Sequence, residues 1–130
     1  MLVKRLGPHL VGLTIMLAGV SYGNDEHGLY RIRGIGSSSC GRYVKTIDRA
    51  NESVEAENDR YAYLSWVSGY LTHYNHQSDG VYDIFGYTDI PAVQLWLYNY
   101  CRRNPLNAFD GAVDALIIAL YPSRLARAPR

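Results

Sequence analysis

Residues 88–105, TDIPAVQLWLYNYCRRNP, decide the predicted fold, because they combine a helical pattern with a boundary signal and one of the chain's two cysteines. Thr88 or Asp89 suits the N-cap of a helix, and Pro91 suits its first turn, where a missing N–H leaves no helical hydrogen bond unmade. The apolar side chains that follow recur at helical spacing and form one face: Val93, Trp96, Leu97, Tyr100 and Cys101. This segment is therefore predicted to be a helix that turns Cys101 inward.

Two more helices are predicted upstream of this segment. Ser38 or Ser39 can cap a short first helix. Its inward-facing residues are Cys40, Tyr43, Val44 and Ile47. A second helix is expected after the acidic stretch at residues 51–58, and its wide apolar stripe consists of Tyr61, Tyr63, Leu64, Trp66, Val67, Tyr70, Leu71 and Tyr74. Gly69 lies in the middle of this helix, where glycine costs about 1 kcal/mol relative to alanine, so we expect a backbone or an aromatic ring to pack closely there.

A fourth helix is predicted downstream. Asn104 is expected to stop the third helix and to cap the fourth, with Pro105 in the first turn of the fourth. The apolar face of this helix consists of Phe109, Ala112, Val113, Leu116, Ile117 and Leu120. Pro122 is expected to end the helix, and residues 122–130 are predicted to form a frayed basic tail. The predicted fold class is all-α, a small four-helix domain at residues 39–121.

The amino-terminal residues have the pattern of a cleavable signal peptide, assigned to residues 1–23. Lys4 and Arg5 precede an uncharged run at residues 10–20. This run has about half of the roughly 20 apolar residues that a membrane-spanning helix needs. The mature protein is therefore predicted to be periplasmic or secreted, without a membrane anchor, and to begin with a flexible leader at residues 24–38 that is rich in glycine and serine.

Cys40 and Cys101 are predicted to form a disulfide, because two cysteines in an exported chain allow a single intramolecular pairing. Closing a loop of about 60 residues removes denatured-state entropy worth about 4 kcal/mol in the chain-entropy model. Redox catalysis is disfavoured, since a reactive thiol pair usually has C-x-x-C spacing or a lowered thiol pKa. The bridge is therefore interpreted as a structural link between the first and third helices.

Motifs for catalysis and metal binding are weak in this chain. His73 and His76, followed by Asp79 and Asp83, have the residue types of a metal site without a fixed ligand spacing, and a polar helix end is the favoured interpretation. The chain has 13 basic and 12 acidic side chains, which gives no sign of a nucleic-acid partner. We predict a protein without enzymatic activity, metal or cofactor, with a metal-dependent enzyme using His73 and His76 as a distant alternative.

Aromatic residues concentrate between residues 61 and 100, and tyrosine is common both at protein interfaces and at core edges. The helical pattern breaks at residues 75–87, where Gly80 and Gly86 predict a loop. The candidate binding surface at this loop consists of Tyr74, Tyr82, Asp83, Phe85 and Tyr87. The predicted partner is a protein, either a second copy in a homodimer or another envelope protein.

A set of motifs spreads over residues 39–120: Ser39-Cys40, Trp66, Gly69-Tyr70-Leu71, Thr88-Asp89, Trp96-Leu97, Tyr100-Cys101 and Asn104-Pro105-Leu106. Together they resemble a family of short exported bacterial proteins that are grouped with HdeA-like periplasmic proteins. The resemblance implies a periplasmic location, an all-helical fold and the Cys40–Cys101 bridge. HdeA-like proteins are acid-stress chaperones, dimers at neutral pH that dissociate and partly unfold in acid to bind other unfolding proteins.

A second resemblance is to periplasmic immunity proteins, which neutralise cell-wall amidase toxins. Those proteins are small, exported and helical, often with a cysteine bridge, and they have a late helix followed by a proline-started one, as at residues 100–115 here. This resemblance implies that the loop at residues 75–87 enters the cleft of a toxin. The sequence thus predicts a non-enzymatic periplasmic binding protein, an acid-stress-type chaperone or, as the alternative, an immunity protein.

Overall fold

The computed structural model describes residues 25–27 and 29–130, and the predicted signal peptide at residues 1–23 lies outside these residues. Contacts divide the chain into two units, residues 1–30 and 31–130. In the first unit, the Asp25 carboxylate accepts hydrogen bonds from the N–H groups of His27 and Leu29, at 2.9 and 2.8 Å. All of the helices described below belong to the second unit.

The second unit is all-helical, as predicted. Its four α-helices are α1 (Cys40–Arg49), α2 (Val54–Gln77), α3 (Ile90–Arg103) and α4 (Phe109–Leu120), and two short 3-10 helices lie at Gly34–Ser37 and Tyr121–Ser123. Extended pairing in the described residues is limited to two isolated antiparallel bridges, Ser39 with Ala108 and Asp83 with Leu125. In residues 25–27 and 29–130, no helix has the length and hydropathy of a membrane-spanning segment.

Side-chain caps set the start of three helices. Ser39 accepts a hydrogen bond from the N–H of Arg42 at the start of α1, and Asp89 accepts one from Ala92 at the start of α3, at 3.2 and 2.8 Å. The predicted start of the second helix was wrong, because α2 begins inside the acidic stretch. Ser53 caps it, and carboxylates in the first turn are favourable beside the positive end of the helix dipole.

The predicted N-cap of the fourth helix was also wrong. Asn104 ends α3 as predicted, and its side-chain Nδ2 donates to the carbonyl of Tyr100 at 2.9 Å, but it does not cap α4. Pro105 likewise lies before α4 and not in its first turn, because α4 begins at Phe109. The segment between α3 and α4 contacts the start of α1, because the N–H of Gly41 donates to the Pro105 carbonyl at 2.9 Å. Helix α4 begins only after this contact, with Ala108 at the N-cap and no side-chain hydrogen bond there.

The core lies among the four helices and is built around three aromatic rings. Tyr43 of α1, Tyr63 of α2 and Phe109 of α4 are buried, with ring centroids 4.6 to 5.0 Å apart. The predicted disulfide joins Cys40 to Cys101, both with no exposed surface, across a Cα–Cα distance of 4.7 Å. It ties the first residue of α1 to the last turn of α3, and the described part of the chain has no free cysteine.

The predicted flexible leader and frayed tail both contain ordered contacts. In the leader, Gly34–Ser37 forms a 3-10 helix with Gly36 buried, and the Trp66 indole N–H donates to the Arg33 carbonyl at 2.9 Å. In the tail, Leu125 forms backbone hydrogen bonds with residues of the loop between α2 and α3. Tertiary hydrogen bonds thus reach both segments, and the leader also contains the buried Gly36. The flexibility of the two segments stays a prediction.

Gly69 does not have the close neighbour that the sequence predicted. A β-carbon built at this position meets no atom within 4 Å. The expectation of a backbone or ring packed against Gly69 was therefore wrong, because Gly69 lies on the exposed side of α2 while Val67 and Leu71 enter the core.

Candidate recognition loop

The loop between α2 and α3, residues 78–89, is named the recognition loop below. Its interior anchors are Val81 and Ile84, which join the hydrophobic core with 7% and 0% of their surface exposed. Asn75, near the end of α2, accepts a hydrogen bond from the N–H of Ile84 through its Oδ1 at 2.9 Å. The Asp83 carboxylate accepts the N–H of Phe85 at 3.1 Å. The loop is therefore fixed from the inside by two core side chains and two side-chain caps.

The loop is also fixed from the outside by the segment that follows α4. The N–H groups of Tyr82 and Asp83 donate to the Leu125 carbonyl at 2.8 and 3.1 Å, and the Leu125 N–H donates back to the Asp83 carbonyl at 2.9 Å. Arg124 donates from Nε to the carbonyl of Gly80 at 3.1 Å. Sequence reasoning missed these residues, because a short arginine-containing tail gives no local pattern that predicts a tertiary contact.

The five predicted binding residues have different surroundings. Tyr87 and Tyr82 are exposed, with 91% and 53% of their surface accessible. Tyr74 and Phe85 are half-buried and pack against the core. The carboxylate of Asp83 is half-buried and serves the loop itself. The aromatic side chains that a partner can reach on this loop are therefore Tyr82 and Tyr87.

The aromatic residues of the remaining motifs lie in contacts within and between helices. Trp66 stacks on Tyr70 with ring centroids 5.0 Å apart, and the Tyr70 hydroxyl donates to Asp114 of α4 at 2.7 Å. Trp96 stacks on Tyr100 within α3 at 5.3 Å. These contacts give the motif aromatics a packing role at the edge of the core.

Two of the groups with shifted pKa values in the described helices are Tyr43 and Glu57. Burial raises the pKa of the Tyr43 hydroxyl well above its usual range, and the neighbouring Tyr63 adds to the shift, while Arg60 opposes it. The hydrogen bond from Arg60 lowers the pKa of the Glu57 carboxyl on the surface of α2, against a smaller opposing effect of burial. Neither group lies on the recognition loop.

The structure also places the histidines that suggested a metal site. His73 and His76 are both exposed near the end of α2. Across residues 25–27 and 29–130, histidine, cysteine, aspartate and glutamate side chains form no group of three or more that could hold a metal ion.

A groove lies between α1 and the start of α2. It has a volume of about 370 Å³, and charged side chains make up most of its lining: Arg42, Lys45 and Arg49 from α1, and Glu55 and Asp59 from α2. Such a polar groove differs from ligand pockets, which are mostly apolar with a few placed polar groups. The recognition loop is therefore the stronger candidate site.

Comparisons with known proteins identify no relative. Protein-family models, curated proteins and solved structures give no match to this chain.

Proposed function

We propose that this protein is a non-enzymatic binding protein of the bacterial periplasm whose recognition loop contacts a folded protein partner. The observation that carries the proposal is the exposure of Tyr87, at 91%, on a loop held from the inside by core side chains and from the outside by backbone hydrogen bonds to Leu125. The periplasmic location is supported by the signal-peptide pattern and by the Cys40–Cys101 disulfide, because disulfides persist in oxidising compartments.

A pre-ordered loop favours a specific partner. Binding to a flexible loop includes the entropic cost of ordering it, whereas an already fixed backbone avoids most of that cost. Tyrosine contributes a large contact area with few rotatable bonds, and it is enriched among the residues that dominate interface energies. Tyr82 and Tyr87 therefore have the side-chain type and the backbone support of interface anchors.

The proposed function is closer to that of an immunity protein than to that of an acid-stress chaperone. An acid chaperone needs a domain that opens when its carboxylates become protonated. In the described residues no charged side chain is buried, so acid breaks no buried ion pair in the core. The chaperone function stays a second proposal, supported by the family resemblance and by a disulfide that would keep an opened chain compact.

Site-specific photo-crosslinking in cells that naturally produce the protein tests the proposal. A photoreactive phenylalanine analogue replaces Tyr87, and the control places it at Leu106, which is 96% exposed in the turn before α4. We expect one discrete adduct from position 87 and none of that mass from position 106. The adduct mass identifies a second copy or a different protein.

Two other results have defined meanings. A broad range of adducts that appears only in acid from both positions would support the chaperone function instead. If position 87 gives no adduct, or only adducts that position 106 also gives, the recognition loop is not the binding surface.

A further inference from the structure

The segment after α4 runs antiparallel to the recognition loop and is named the strap, residues 123–125. Three backbone hydrogen bonds join Leu125 to residues 82 and 83. Among residues 25–27 and 29–130, the N–H groups of Tyr82, Asp83 and Leu125 form no other hydrogen bond. Without the strap, the N–H groups of Tyr82 and Asp83 have no acceptor within the described chain. The strap therefore supplies hydrogen bonds that the loop cannot make internally.

Arg124 joins the strap to the recognition loop and to the end of α4. Its Nε donates to the Gly80 carbonyl of the loop at 3.1 Å, and its Nη1 donates to the Tyr121 carbonyl at 2.9 Å. The guanidinium carbon also lies 3.8 Å from the centroid of the Tyr121 ring, within the range of a cation–π contact. Arg124 thus connects the end of α4 to the first turn of the loop.

The loop is shaped to receive the strap. Gly86 has a φ of +59°, which glycine adopts without strain, and a β-carbon on it would lie 2.3 Å from the Ser123 carbonyl oxygen. A larger residue at this position would both strain the backbone and displace the strap. The close approach at Gly86 and the bridge at Asp83 hold the strap against two parts of the loop.

We propose that the strap is a conformational switch for the recognition loop: docked, it orders the loop, and released, it leaves the loop flexible while the four helices stay folded. The internal anchors at Val81 and Ile84 then restrain only the middle of the loop. The consequence for binding rests on the proposed function, because a released strap adds the cost of ordering the loop to the binding of a partner.

Hydrogen exchange of the full protein tests the switch without any partner, so it can fail or succeed independently of the proposed function. The test variant is Leu125→Pro, which removes the N–H that donates to Asp83. Arg124 already has φ −58° and ψ 153°, a conformation that suits a residue before proline. Leu125→Ala is the matched control, because it shortens the side chain and keeps the N–H. Arg124→Gln is a second variant that weakens the strap through its side chain alone.

We expect the amides of Ile84 and Phe85 to exchange about 10-fold or more faster in Leu125→Pro, although their own acceptors on Asn75 and Asp83 are unchanged. Arg124→Gln should give a smaller change in the same direction, Leu125→Ala little change, and amides in α2 and α4 wild-type rates in all three. Faster exchange of Tyr82 and Asp83 alone, with Ile84 and Phe85 unchanged, would overturn the switch. Equal acceleration across the helices would overturn it too, because the strap would then stabilise the whole domain.

Discussion

Gly36 packs against the indole ring of Trp66 so closely that a β-carbon on the glycine would come within 2.0 Å of the ring. The indole cannot easily move away, because its N–H is bonded to the Arg33 carbonyl and its ring is stacked on Tyr70. This contact fixes the segment before α1 to the surface of α2. A position that looks like one more residue of a glycine-rich leader is therefore a packing site.

Gly36→Ala is expected to destabilise the domain by about 1–3 kcal/mol, the usual cost of overpacking a filled site. Gly69→Ala is the matched control, since nothing lies within 4 Å of a β-carbon there. In the middle of α2 that control should stabilise the protein by up to about 1 kcal/mol. Urea unfolding of both variants measures the difference. Equal stabilities for the two would contradict the packing at Trp66.

The disulfide should account for a large share of the stability of the domain. Replacing both Cys40 and Cys101 by alanine is expected to lower the free energy of unfolding by about 4 kcal/mol, because the bridge closes a loop with a sequence separation of 61. Alanine avoids placing new hydroxyl groups in the buried site. Urea denaturation gives the value, and free-thiol titration of the exported wild-type protein is the control. Two reactive thiols in that sample would show that the bridge does not form.

Alkaline pH should destabilise the protein through Tyr43. The folded-state pKa of this hydroxyl is raised by burial, so its contribution to stability is present below the unfolded-state pKa of about 10 and is lost as the pH rises above it. Tyr43→Phe removes the titrating group and keeps the ring that packs on Tyr63 and Phe109. Urea midpoints across this range should fall more steeply for the wild type than for the variant. If the urea midpoints of the wild type and the variant fall equally with rising pH, groups other than Tyr43 cause the loss of stability.

Acid should have a smaller effect. The lowered pKa of Glu57 gives stability that is lost as the pH falls through its folded-state pKa, but this carboxylate lies on the surface and is screened by solvent. We expect the helices to persist at about pH 3, where most carboxyl groups are protonated. Circular dichroism and sedimentation at that pH, with and without a reducing agent, make the measurement. Unfolding of the oxidised protein together with protection of an acid-denatured client would favour the chaperone proposal.

Helix number, most of the apolar faces and the disulfide could be predicted from the sequence, because each depends on a local pattern or on a count of residues. Ser39, Asp89 and the cysteine pair confirm this, since their side chains act where the pattern placed them. Tyr61 is an exception, since it was placed in the apolar stripe of the second helix and is 54% exposed. The starts of α2 and α4 could not be predicted. Each helix start depends on competition between neighbouring candidate N-caps. At α4, the hydrogen bond between Gly41 and the segment before the helix decided where the helix begins.

The candidate site was predictable only in part. The loop and its tyrosines followed from composition, but composition could not say which of the tyrosines are exposed. The strap could not be predicted either, because its hydrogen bonds join backbone atoms of residues 82–83 and 125, which are far apart in sequence. Backbone pairing of this kind leaves no trace in side-chain periodicity. The same limit applies to Gly36, whose neighbour Trp66 lies across the fold.

The bridge between Cys40 and Cys101 also determines the shape of the chain after it has unfolded. Oxidised and denatured, the protein is a closed ring that contains α1, α2 and most of α3, with two linear arms, one of which contains the residues of α4. A ring is more compact than a linear chain of equal length, so unfolding exposes less new surface to solvent. The dependence of unfolding free energy on urea concentration should therefore be shallower for the oxidised protein than for the reduced one.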